Sequence, residues 1–75
     1  MPKSQTFLGI TGTHLGESAK AVKFQINDIS GEPVDPPQTT WFPFSQVQRI
    51  TMSATEVGKD CLVVSEWILK EKGLI

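Results

Sequence analysis

The nine residues Ala19-Lys20-Ala21-Val22-Lys23-Phe24-Gln25-Ile26-Asn27 alternate strictly: Val22, Phe24 and Ile26 fall on one side, Lys23, Gln25 and Asn27 on the other. A period of two marks a half-buried β-strand, with one face on a core and one toward solvent. Lys20 falls on the apolar side near the strand's beginning, where its stem can cover the edge of the core while the ammonium reaches water. The chain has 75 residues, so this core is thin: a domain of this size buries only about 60% of the surface its unfolded chain exposes. A single domain spanning 1–75 is expected.

The segment before the alternating run, Thr6 to Leu15, is rich in β-branched and aromatic residues and carries Gly9 and Gly12, which suit a strand with bulges or close backbone approaches better than a helix interior. Gly16-Glu17-Ser18 supplies a turn, so the first two strands form an antiparallel hairpin. From Asp28 to Gln38 the chain holds Ser30-Gly31, Pro33 and Pro36-Pro37. These residues favour turn and extended polyproline geometry and read as a surface loop, stiffened by its prolines.

The densest apolar stretch follows, Thr39-Thr40-Trp41-Phe42-Pro43-Phe44-Ser45-Gln46-Val47. Strand alternation sends Trp41 and Pro43 to one face and Thr40, Phe42 and Phe44 to the other. Pro43 fits only at a strand edge or end, and Ser45-Gln46-Val47-Gln48 has the form of a capping box, which predicts one helical or 3₁₀ turn. Arg49 to Ser53 resumes alternation with Ile50 and Met52 inward. Ala54 to Asp60 is a turn into the buried strand Cys61-Leu62-Val63-Val64. Ser65 caps a closing helix with Glu66 in its first turn, Trp67 as its anchor and Gly73 as its left-handed terminator, which lets Leu74 fold back onto Leu69. The expected fold is mostly β: a small antiparallel sheet, or a partly open SH3-like or OB-like barrel, of four to five strands with a short C-terminal helix.

Composition narrows the function classes. Seven Lys and Arg against eight Asp and Glu give a net charge of −1, without the basic excess of a typical nucleic-acid footprint. One cysteine, no secretory pattern and no apolar run near the roughly 20 residues needed to cross a bilayer point to a cytoplasmic, membrane-free setting. The chain has no tyrosine and a single histidine. His14 and Cys61 would have to meet in space to make a nucleophilic pair, and one His with one Cys does not fill a zinc site. Asp28, Glu32, Asp35, Glu66 and Glu71 read as solvated surface carboxylates, and the glycines near Gly12 lack the ending of a phosphate loop. No catalytic residue, cofactor or metal is implied.

Binding is the better-supported class. Lys20 and Lys23 precede Trp41, Phe42 and Phe44, and Gln46 and Arg49 follow; with Asp35 in the proline loop these are the candidate partner-binding residues. Aromatics flanked by cations stack single-stranded bases at about 1–3 kcal/mol each, while an exposed Trp or Phe beside a stiffened loop suits a protein interface.

The segments Glu17-Ser18-Ala19-Lys20-Ala21-Val22, Trp41-Phe42-Pro43-Phe44-Ser45-Gln46-Val47 and Glu66-Trp67-Ile68-Leu69-Lys70-Glu71-Lys72-Gly73-Leu74 together resemble, in this order, a group of short phage and prophage proteins. Two departures stand out: Phe44 occupies a slot that is lysine in the group, and the Asp28 to Gln38 segment is longer and richer in proline. Both shift weight from nucleic acid toward protein. The resemblance implies an accessory phage protein in an infected or lysogenic bacterial host. It would bind and inhibit a host protein or defence complex, such as a CRISPR effector, with single-stranded nucleic acid as the alternative partner.

Overall fold

In the computed structural model, which describes residues 6–75, the chain forms β1 (Phe7–Glu17), β2 (Ala21–Ile29), β3 (Glu32–Pro43), a 3₁₀ turn η1 (Phe44–Gln46), β4 (Val47–Thr51), β5 (Asp60–Ser65) and α1 (Glu66–Glu71). The strands make one five-stranded antiparallel sheet in the order β3-β2-β1-β5-β4. Val22, Phe24 and Ile26 are fully buried, and with Ile10, Phe42, Leu62, Val64 and Leu69 they form the core. The alternation read from β2 is therefore the division between the inner and outer faces of the sheet.

The sheet cannot be flat. Through Val64, Val47 at the start of β4 is level with Leu8 near the start of β1, while Pro43 at the end of β3 is level with Ala21, beyond the Val22–Glu17 pair at the end of β1. Laid flat, these ends would lie about 19 Å apart across the strands and about 30 Å apart along them. The chain between Pro43 and Val47 spans at most about 14 Å. The sheet must coil until the end of β3 meets the start of β4, giving a partly closed barrel around the core.

Local chemistry permits that coil. The β1–β2 register shifts between Thr11 and Gly12 and again between His14 and Gly16, and such bulges increase twist. At Gly12 the backbones approach so closely that a Cβ would collide with the carbonyl oxygen of Gln25.

Several expectations are corrected. The segment from Asp28 to Gln38 is not a surface loop: β2 continues to Ile29, Ser30 and Gly31 turn the chain with positive φ, and β3 begins at Glu32. The positive φ of Ser30 and Gly31 matches the hairpin turn whose twist suits the flanking strands. Prolines are tolerated because β3 is an edge strand, where a missing N–H loses no ladder bond. Pairing jumps from Asp28–Pro33 to Ile26–Gln38, so residues 34–37 form a bulge in β3, in which Val34 packs against the core. The preceding turn lies at 18–20 rather than 16–18, which leaves Lys20 exposed in the turn instead of on the apolar face of the strand. Met52 is 53% exposed because β4 ends at Thr51 and its alternation ends there.

Ser65 caps α1 as expected, its Oγ accepting from the Ile68 N–H at 3.2 Å. At the other end Gly73, with φ of 72°, donates to the Lys70 carbonyl, and Leu74 donates to the Leu69 carbonyl at 2.9 Å, the paired bonds of a Schellman motif. The anchors are Ile68 and Leu69, which are buried, whereas Trp67 is 55% exposed. On a helix each residue turns about 100° from the last, so a short helix that buries 68 and 69 carries 67 away from the core.

Candidate functional site

The place where the barrel closes collects most of the residues that could meet a partner. The Phe44 N–H donates to the Lys20 carbonyl at 2.9 Å, which ties η1 to the turn before β2. Buried Ser65 donates its hydroxyl to Gln46 Oε1 at 2.6 Å while capping α1 with the same oxygen, so η1 and the helix share one anchor. Lys72, just past α1, places Nζ 5.9 Å from the centre of the Phe42 ring. The end of β3, η1, the start of β4 and α1 thus form a continuous seam.

The apolar stretch divides at this seam as alternation requires. Phe42 is fully buried and packs in the core, so it is removed from the set of partner-binding residues. Phe44 is half-buried against the core, and Gln46 is engaged by Ser65. Ser45 is not a cap, since η1 begins at Phe44 with no side-chain capping bond. Trp41 points to the outer face, 43% exposed, directly across from Lys23.

Trp41 and Lys23 lie on the outer face, Lys20 at the turn, and Trp67, Lys70 and Lys72 on or beside the helix, all on elements that meet at the seam. Glu66 lies among them, its Oε1 3.8 Å from Lys70 Nζ, so the surface alternates in sign around its aromatics. Trp67, Lys70 and Lys72 were not among the expected contact residues. The Glu-Trp dipeptide opening a short capped helix was the available signal, masked by the need for a helix anchor. Arg49 is exposed on β4 without an ion-pair partner among the described residues, and Asp35 is exposed in the β3 bulge, well removed from Trp41 along that strand.

Elsewhere, residues 52–58 line an open pocket of about 280 Å³ together with Thr13 and Asp60. Asp60 is 8% exposed; it accepts from the His14 N–H at 2.9 Å and the Ser53 N–H at 2.8 Å. These two bonds hold its carboxyl below the usual carboxylate range, outweighing the opposite effect of burial. Asn27 Nδ2 makes a long contact of 3.5 Å with the Gly58 carbonyl. Asp60 thus latches the loop to β1. The His14 ring is bonded to Glu17 at 3.0 Å. His14 pairs with Phe24 on the inner side of the sheet and Cys61 with Thr11 on the outer side, so the two side chains are on opposite faces.

Among the described residues no group of His, Cys, Asp and Glu is arranged to hold a metal ion, and no helix is long and apolar enough to cross a membrane. Comparison of the chain with protein-family models, curated proteins and solved structures finds no match.

Proposed function

We propose that this chain is a non-catalytic binding module that holds a protein partner on the seam, with Trp41 and Trp67 as anchors and Lys20, Lys23, Lys70 and Lys72 as the polar rim. The observation that carries this reading is the exposure of Trp41 on a paired strand. A barrel that buries Phe42 next to it has a core without Trp41, and a large aromatic standing free among polar residues has the form of an interface hot spot. The mixture of Glu66 and Glu71 with the lysines favours a protein surface over a phosphate backbone, which calls for unopposed cations. By the phage resemblance, that partner is a host protein or a defence complex.

The second reading, a single-stranded nucleic-acid binder, is favoured by one specific observation, the Lys23–Trp41 pairing, since a base can stack on the ring while the ammonium meets its phosphate. Titration with a labelled single-stranded oligonucleotide across a salt series, read by tryptophan fluorescence, separates the two. Quenching that weakens steeply with salt replaces the protein reading with the nucleic-acid one. Absence of binding at low salt ends the nucleic-acid reading. Cross-linking in host lysate then tests the first, which requires a protein adduct that Trp41→Ala abolishes while the variant still unfolds cooperatively above the assay temperature.

A further inference from the structure

The two edges of the sheet are unlike in a way the seam does not explain. β3 carries Pro33, Pro36, Pro37 and Pro43, none with an N–H to offer, and it bulges at 34–37, so much of its outer edge cannot template another strand. β4, at the opposite edge, pairs among the described residues only with β5 and contains no proline in Val47–Thr51. Among the described residues, its outward N–H and C=O groups have no partner strand. Natural edges are blunted by proline, bulges or inward charges; β3 has the first two, while β4 has its short length, a register shift between Val47 and Arg49 and one exposed charge, Arg49.

We infer that the edge of β4 receives an extended polypeptide segment of a partner protein as a sixth strand, with an acidic residue of that segment set across from Arg49. The chemistry of the edge selects the occupant: only another extended backbone supplies donors and acceptors at the spacing of a strand edge. Arg49 selects its charge, since it is exposed, has no ion-pair partner among the described residues and stands on a strand whose cross-strand neighbours are close enough to interact. A second copy of this chain is a poorer occupant, because symmetric antiparallel pairing centred on β4 brings Arg49 against Arg49. This inference rests on the protein-binding reading but places contact on a different strand. Arg49→Glu and Trp41→Ala therefore report on the two sites separately.

The test uses the isotope-labelled full chain and two synthetic probes, Thr-Val-Thr-Glu-Thr-Val-Thr and the same peptide with Lys for Glu, followed through the backbone amides. The expected result is a set of shifts centred on residues 47–51 for the Glu peptide, with affinity falling roughly fivefold in Arg49→Glu and preference passing to the Lys peptide, as for a reversed cross-strand charge pair. Should Arg49→Glu not fold, adding salt to the wild-type titration must weaken the Glu peptide more than the Lys peptide. The inference is overturned if millimolar peptide leaves residues 47–51 unmoved, if shifts appear instead on residues 32–38, or if those β4 shifts arise from protein concentration alone with a doubled mass.

Discussion

Phe42 and Trp41 are adjacent in sequence yet the structure gives them opposite fates, and replacing each by Ala reads those fates as energies. Phe42 is fully buried and Trp41 is 43% exposed. A buried phenylalanine removes roughly 200 Å² from water, about 5 kcal/mol at 25 cal/mol/Å², and allowance for a compact unfolded chain trims this by a tenth to two-fifths. Cavity formation restores part of the trimmed amount, so Phe42→Ala is expected to cost about 3–5 kcal/mol. Against a total on the order of 4–11 kcal/mol for a domain this size, that loss removes a large share of the stability, and at the lower end of the range it leaves the variant largely unfolded at 37 °C. Phe42→Leu gives a graded version, costing about 1–2 kcal/mol including the loss of the contact with Lys72. Trp41→Ala surrenders only the buried part of its larger ring, about 2–3 kcal/mol by the same reckoning. The assay is urea denaturation followed by far-ultraviolet circular dichroism, which does not depend on the tryptophan removed. If Phe42→Ala stays within 1 kcal/mol of the parent, or if Trp41→Ala costs more than Phe42→Ala, the assignment of inner and outer faces is wrong and the seam loses its anchor.

Further outcomes follow from single contacts. Gly12→Ala drives a methyl into the Gln25 carbonyl and is expected to cost at least about 2–3 kcal/mol by calorimetry, as overpacking at a site where backbone must move; a neutral result refutes the close approach. Ser65→Ala removes both the cap of α1 and the donor to Gln46, and a loss of about 1–2 kcal/mol with faster amide exchange at Ile68 is expected. Asp60 has a folded pKa below its unfolded value, so its contribution is fully present above the unfolded pKa and is lost as pH falls through the folded one. The amides of His14 and Ser53 are therefore expected to lose protection selectively below about pH 4, and in Asp60→Asn one of the two should be unprotected already at neutral pH, because an amide keeps only one acceptor oxygen; unchanged exchange at both would remove the latch.

How much of this was legible in the sequence depends on the range of the interaction concerned. The hairpin of β1 and β2, the end of β3 at Pro43 and both caps of α1 follow from period-two alternation, from proline's missing N–H and from the hydrogen bonds of Ser65 and Gly73, which act within a few residues; a 3₁₀ turn does follow Pro43, but without the Ser45 cap that suggested it. The site was half legible. Alternation put Trp41 and Phe42 on opposite faces without telling which face was core, so both stood as partner-binding candidates until the burial of Phe42 removed it; Trp67 was expected as the docking anchor because a short helix needs one, and nothing local tells Trp67 from Ile68 or Leu69 in that role.

Sequence alone determined that this chain is an antiparallel β protein with a capped C-terminal helix, because strand periodicity and capping are written in neighbouring residues. Tertiary structure decided that the proline-rich segment is an edge strand, since proline's loss of a donor matters only where a neighbouring strand would have used it. It also decided that the sheet coils until η1 joins its two edges, because the register setting that geometry couples Val47 to Leu8 and Pro43 to Ala21 across strands far apart in sequence. Trp41 is exposed by strand alternation and Trp67 by its place on the turn of α1; the coil brings the ends of their elements toward one seam.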